Sequence, residues 1–413
     1  MSPFEYRSGE LHAEGVPLAQ IAERYGTPCY VYSRRALTET YRAFDAAFAA
    51  HDHLVCYAVK ANSTLAILNL LARLGSGFDI VSGGELARVI AAGGDPRKVV
   101  FSGVGKTAEE MRQALAAGIL CFNVESEGEL DRLETVAAQA GVTASVSLRV
   151  NPDVDPRTHP YIATGLKENK FGIPYAEALG LYRRARGMRH LAIAGIGCHI
   201  GSQLTEVTPF VAALERVLEL ADRLRAEGIP LAHVDIGGGL GIRYRDESPP
   251  AVPEYARALM SCLGNRGMRL LLEPGRALVG QAGLLLTRVE YLKRGAERNF
   301  AVVDAAMNDL LRPALYDAWH EVMPVKAGSG NTLYEIVGPV CETGDFLARA
   351  RKLALKEGEH LAIMTAGAYG MSMSSNYNSR PRAAEVMVDG ATAHLIRERE
   401  AVSELMAREM LLP

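Results

Sequence analysis

Between residues 54 and 273, eight short apolar runs alternate with amphipathic stretches long enough for helices. Such alternation is the sequence form of repeated βα units around a parallel sheet. The runs are LVCYAVK ending at Lys60, FDIVS at Ser82, KVVFS at Ser102, ILCFNV at Val124, ASVSLRV at Val150, IAGIGCH at His199, LAHVDI at Ile236 and RLLLE at Glu273. They are continuously apolar, as strands covered on both faces should be. Eight such units predict a (β/α)8 barrel, with an expected extent of residues 34–280.

After residue 280 the texture changes to the runs LLLTRVEYLK, FAVVDA, TLYEIVG, HLAIMT and EVMVD, separated by Gly, Pro, Asn and Asp. These predict a second, mostly antiparallel β domain over residues 281–413. The early run PCYVYS precedes any barrel helix and is expected to pair with that domain, so residues 1–33 are assigned to it. The tail REREAVSELMAREMLL has helical periodicity and is expected to close the fold.

Composition narrows the function classes. With 45 basic against 48 acidic residues, a net charge of -3 supplies no global reason to bind nucleic acid or an anionic membrane. No apolar window is long enough for a membrane span, and the first residues lack the pattern of a secretory signal. The cysteines Cys29, Cys56, Cys121, Cys198, Cys262 and Cys341 form no CxxC pair, so no metal site is expected. A reduced, cytoplasmic setting is the plain expectation.

The end of each run carries unusual chemistry: Lys60, Asp79 with Ser82, Ser102, Asn123 with Glu125, Arg149 with Asn151, His199, Gly237 to Gly239, and Glu273 with Arg276. Barrel active sites are built at the C-terminal mouth from strand ends and the loops after them, so one barrel would gather these residues. Two segments look like nucleotide sites and are not. SGVGKT, at residues 102–107, lacks the first glycine of a phosphate loop, because Val100 stands there; GGGLG, at 237–241, has Ile242 where the dinucleotide fingerprint needs its third glycine.

A triple glycine directly after a strand is either a tight turn or a place where backbone amides close around an anion such as phosphate. Lys60, ending an apolar strand, either snorkels to water or is an amine desolvated enough to form a Schiff base. Taken together, phosphate site and lysine suggest a carbonyl cofactor bearing a phosphate, pyridoxal 5'-phosphate. Glu273, ending a buried LLLE run, needs a cationic or hydrogen-bonding partner, either Arg276 or a pyridinium nitrogen. His199 is either a satisfied core histidine or a ring that stacks on a planar cofactor.

The motifs YAVKANS, GFDIVSGGEL, RVNPDVDPRTHPYIATGLKENKFGI, HIGSQ, VDIGGGLG, EPGRALV, GPVCETGD and GAYGMSMSSNYNSRPRAAEV follow in order along nearly the whole chain. By this set the chain resembles the alanine-racemase-fold (fold type III) pyridoxal-phosphate decarboxylases, and among them the diaminopimelate decarboxylases. The resemblance implies that Lys60 carries the cofactor, His199 stacks on its ring and Glu273 pairs with the ring nitrogen. It implies that Ser202, Gly238, Gly239 and Gly275 hold the phosphate with Tyr369, and that Asp79, Glu85 and Arg149 surround the cofactor mouth. Arg276, Arg312 and Tyr316 would grip the substrate carboxylate away from the reacting carbon, although Arg276 could instead contact the phosphate. Cys341 would donate a proton and Glu342 would bind the distal ammonium, both entering from a partner subunit of a homodimer.

The activity implied is decarboxylation of meso-2,6-diaminopimelate to L-lysine, the last step of lysine biosynthesis. Alternatives are a decarboxylase of ornithine, lysine or carboxynorspermidine, a racemase of the same fold, a silent decarboxylase-like binding protein, and a barrel aldolase using Lys60 with the triple glycine. The aldolase leaves CETGD and GAYGMSMSSNYNSRP without a role.

Overall fold

The computed structural model describes residues 3–154 and 170–413. Residues 155–169, the middle of the motif that begins at Arg149, lie outside that range. The described chain divides into two compact units, one of residues 40–242 and 248–277, the other of residues 1–39, 243–247 and 278–413.

The first unit is a closed barrel of eight parallel strands: β1 (His53–Ala58), β2 (Gly77–Ile80), β3 (Val99–Phe101), β4 (Cys121–Val124), β5 (Ala144–Asn151), β6 (Leu191–Gly197), β7 (His233–Asp235) and β8 (Arg269–Leu272). Neighbours in sequence are neighbours in the sheet, and β8 pairs back onto β1. Strands β2, β3, β4 and β7 are buried at every position, so the polar residues they carry, Asp79, Asn123, His233 and Asp235, are buried among apolar neighbours.

Side-chain caps start several of the outer helices just past the strand ends. Ser82 Oγ accepts from Glu85 N, Ser126 Oγ accepts from Glu129 N, and Thr107 with Glu110 forms a reciprocal capping box. These caps limit how far each strand-to-helix loop can wander, and so hold the chemistry at the strand ends. Register does the rest: Ala58 lies opposite Asp79, Asn123 opposite Ser147 and Gly197 opposite Asp235.

The second unit is mostly antiparallel. Its strands are β9 (Gly283–Arg294), β10 (Asn299–Val303), β11 (Val322–Pro324), β12 (Thr332–Val337), β13 (Phe346–Leu353), β14 (His360–Ile363), β15 (Ala384–Asp389) and β16 (Thr392–Arg397). The early strand Cys29–Ser33 lies in the same sheet, antiparallel to β9 and parallel to β15. A core of Phe4, Leu11, Val31, Leu284, Leu286 and Val386 joins N-terminal and C-terminal segments.

The tail departs from expectation. Only Val402–Met406 is helical, and no residue of that helix is buried. Its apolar side chains Val402 and Met406 stay more than half exposed, and a helix so short is not stable by itself. Leu411 and Leu412 beyond it are almost fully exposed.

Candidate active site

Lys60 sits on the single helical turn that follows β1, and its Nζ is 2.5 Å from Asp79 Oδ2. The Asp79 side chain is wholly buried, while that of Lys60 is 36% exposed. The amine therefore reaches toward solvent from a buried carboxylate. Glu85, in the first turn of the helix after β2, accepts a hydrogen bond from the Val81 amide at 2.7 Å. Burial pushes its carboxyl up to about 7, against the opposing pull of that amide and of Lys60.

Beside the Lys60–Asp79 pair lies a polar cluster made from the ends of β3, β4, β7 and β8. Asn123 Nδ2 is 3.1 Å from Ser102 Oγ, 3.2 Å from Asp235 Oδ2 and 3.3 Å from Glu273 Oε1. Ser102 donates to Glu273 Oε1 at 3.4 Å. Asp235 and Glu273 are both buried. Burial first, then the charges of Asp235 and Asp79, push Glu273 well above the usual carboxylate range, and burial raises Asp235 too. In this setting Glu273 holds a proton more readily than an exposed glutamate does.

His199 follows β6, and its Nδ1 accepts from the Gly238 amide at 3.1 Å. Burial and the cations Arg149 and Lys60 push its ring well below the ordinary histidine value, so it stands neutral with Nδ1 as acceptor. Arg149 is clamped by both Glu125 oxygens at 3.1 Å and extends Nη2 toward the His199 carbonyl at 3.5 Å. Ser102, Asn123, Arg149, His199, Asp235 and Glu273 line one cavity.

The glycines after β7 bring backbones together at distances no side chain permits. A Cβ on Gly238 would stand 2.1 Å from the Glu273 carbonyl oxygen, and one on Gly239, whose φ is +110°, would stand 2.3 Å from that of Gly201. Asp235 Oδ1 starts this turn by accepting from the Gly237 amide at 2.8 Å. Gly275 packs against Ala58 and Ala61, beside Lys60. Arg276, buried in the same unit, donates from Nη2 to Ser202 Oγ at 3.2 Å, which sets it on the side of the glycine turn.

The barrel unit thus gathers Lys60, Asp79, Glu85, Arg149, His199, Ser202, Gly238, Gly239, Glu273, Gly275 and Arg276. The other five candidates belong to the second unit. Arg312 is buried there, 2.8 Å from His320 Nε2 and with its guanidinium 4.5 Å from the centre of the Tyr244 ring. Tyr316 ends the short helix begun by Arg312. Tyr369 has a left-handed backbone, with φ +57°. Cys341 and Glu342 are exposed on a turn held from behind by Asp345, whose carboxylate accepts from the Val340 and Met307 amides at 2.9 and 2.7 Å.

The family model for the pyridoxal-dependent decarboxylase pyridoxal-binding domain matches residues 34–280. Over the full length of both chains, the sequence is 62% identical to the diaminopimelate decarboxylase of Pseudomonas aeruginosa. The chain belongs to the diaminopimelate decarboxylase family. Among solved structures, the diaminopimelate decarboxylase of M. jannaschii in co-complex with L-lysine superposes with a TM-score of 0.95 at 38% identity, covering 99% of this chain and 98% of that one. The Helicobacter pylori enzyme complexed with L-lysine gives 0.92 at 41%, covering 95% and 99%.

Reading the sequence for family motifs passed over Asp235 and left Asn123 without a role. Asp235 did carry a signal, an acidic residue two before a glycine turn that its carboxylate can cap. Asn123 carried only its place at a strand end. Its function as a bridge between Ser102, Asp235 and Glu273 depends on barrel closure, which brings together strands far apart in sequence.

Proposed function

We propose that this chain catalyses the pyridoxal-phosphate-dependent decarboxylation of meso-2,6-diaminopimelate to L-lysine and carbon dioxide, as the last step of lysine biosynthesis. The observation that carries this reading is the full-length identity of 62% to a diaminopimelate decarboxylase. The barrel mouth fits the cofactor on its own evidence. A buried carboxylate that favours its proton, a neutral histidine, a glycine turn with no room for side chains and a half-exposed lysine answer its nitrogen, ring, phosphate and aldehyde.

When bound, pyridoxal phosphate supplies an aldehyde that takes the substrate amine and a ring that accepts the electron pair left when carbon dioxide departs. Lys60 anchors the cofactor and Asp79 holds the amine in place. Glu273 shares a proton with the ring nitrogen and Asn123 keeps its carboxyl aimed. His199 covers the ring, with Arg149 fixing its backbone. Gly239, Gly275, Ser202 and Tyr369 hold the phosphate. Gly238 gives its amide to His199, so its part is to let the turn approach Glu273 as much as to bind an anion.

For the substrate, Arg312 with Tyr316 grips the distal carboxylate, and Glu342 takes the distal ammonium. Arg276 serves both the phosphate side, through Ser202, and the carboxylate. Cys341 delivers a proton to the carbon that loses carbon dioxide. As the family resemblance implies, Cys341 and Glu342 serve the site of a second copy and the working unit is a cytoplasmic homodimer with shared sites; their exposure on a pinned turn leaves them available for that role. Residues 34–280 act as the cofactor barrel, and residues 1–33 with 281–413 as the second domain.

The test is lysine and carbon dioxide production by the purified protein with added pyridoxal phosphate, with meso-diaminopimelate, ornithine, lysine and carboxynorspermidine run in parallel. Turnover confined to diaminopimelate is the expected result. Turnover of a simple diamine precursor instead would overturn the roles of Arg312 and Glu342.

A further inference from the structure

SGVGKT does not have the spacing of a phosphate loop, yet its lysine is deeply engaged. The Lys106 side chain is wholly buried. An ammonium there is costly unless every donor is used. Its three N–H groups have three partners: the Gly103 carbonyl at 2.8 Å, the Asn123 carbonyl at 2.8 Å and Glu129 Oε1 at 2.7 Å. It therefore ties the loop after β3 to the end of β4 and to the first turn of the following helix.

Two branches run from this point into the mouth. In the first, Lys106 holds the backbone of Asn123, whose side chain bridges Ser102, Asp235 and Glu273. In the second, Glu129 uses its other oxygen to accept the Glu125 amide at 2.9 Å. Glu125 in turn receives the Gly103 amide at 2.7 Å, the Gly172 amide at 3.1 Å and Arg149 Nη1 at 3.1 Å. Arg149 then meets the His199 carbonyl. One buried ion pair thus stands behind both the group assigned to the ring nitrogen and the group that steadies the histidine.

We propose that Lys106 is a positioning residue: with Glu129 it sets the places of Asn123 and Glu125, and through them those of Glu273 and Arg149 around the cofactor ring. This rests on the reading of the mouth as a pyridoxal phosphate site. A purely structural ion pair would make a different prediction, because a buried pair can often be exchanged for apolar residues without loss of stability. Lys106→Met alone strands Glu129 as an unpaired buried carboxylate and should lower the unfolding temperature. Lys106→Met combined with Glu129→Met removes that burden.

The holoenzyme, the double variant and Glu129→Gln are compared by unfolding temperature, by pyridoxal phosphate titration and by the pH dependence of the bound cofactor's absorbance. Losing charge-assisted hydrogen bonds behind the site should weaken cofactor binding in the double variant by roughly tenfold or more. It should also displace the midpoint of the absorbance titration, while the unfolding temperature recovers from that of Lys106→Met. A double variant with native cofactor affinity and native absorbance profile overturns the proposal. If the double variant does not fold, Glu129→Gln decides: a displaced midpoint supports the positioning role and an unchanged one overturns it. Wild-type protein that takes up no pyridoxal phosphate would instead overturn the site reading itself.

Discussion

At the barrel mouth, Asp79, Asp235 and Glu273 are buried at strand ends and tied to neighbours from distant parts of the chain. In the second unit, Cys341 and Glu342 stand exposed on a turn whose shape comes from Asp345 behind it. The first region sets the chemistry of its groups by burial, which raises the proton affinities of Asp235 and Glu273. The second holds its groups at the surface and fixes where they are. A cofactor site needs tuned groups before anything binds, whereas groups proposed to complete a neighbouring copy need only be presented.

That contrast can be broken most directly at Lys60. Lys60→Ala should remove cofactor attachment and lower turnover by on the order of 10⁴-fold or more, read from the absorbance band and from carbon dioxide release. Survival of either would remove the barrel mouth as the chemical centre. On the presenting side, Cys341→Ala should leave cofactor binding intact and reduce kcat by roughly 10² to 10⁴-fold, the range for loss of a proton donor. Near-native kcat would mean that the exposed turn carries no chemistry.

Glu342→Gln sharpens the division further. It should raise KM for diaminopimelate by roughly tenfold or more while cofactor affinity stays native, because the proposed role of Glu342 is a contact to the distal ammonium alone. Equal loss of both would assign Glu342 to the cofactor instead. The smallest effect is expected at Glu85. Its carboxyl titrates near 7 in the fold against an ordinary value of 4.5, so the folded chain holds a proton that the unfolded chain releases. Stability from this group is present below about pH 4.5 and is lost as pH rises through about 7. Thermal unfolding of Glu85→Gln between pH 5 and 8 should show a flatter pH dependence than the wild type; an identical slope would deny that burial tunes this group.

Much of the barrel could be read from the chain because burial makes most of its strands predominantly apolar. The second unit was harder. Strand β13, FLARARKL, is interrupted by basic residues, and β16 is largely exposed, so neither has the apolar signature of the runs around it. The tail erred in the opposite direction. Its apolar periodicity is real, but no residue of its helix is buried, and periodicity reports a face without saying what covers it.

Lys60, His199, the glycine turn and Glu273 were visible in the sequence because each is a residue type at odds with its apolar surroundings. Local pattern records that conflict directly. What SGVGKT does was not visible, since Lys106 gains its meaning from Asn123 and Glu129, 17 and 23 residues away. The network joining them to Glu273, 150 residues beyond Asn123, exists only once the barrel closes. Residue types and their spacing therefore pointed to the barrel strands, the cofactor class and Lys60, His199, the glycine turn and Glu273, while the remaining candidate groups came from the family resemblance. Closure of the sheet decided which of those groups share protons and charge, because electrostatic coupling depends on separation in space and on burial, and neither is a property of position along the chain.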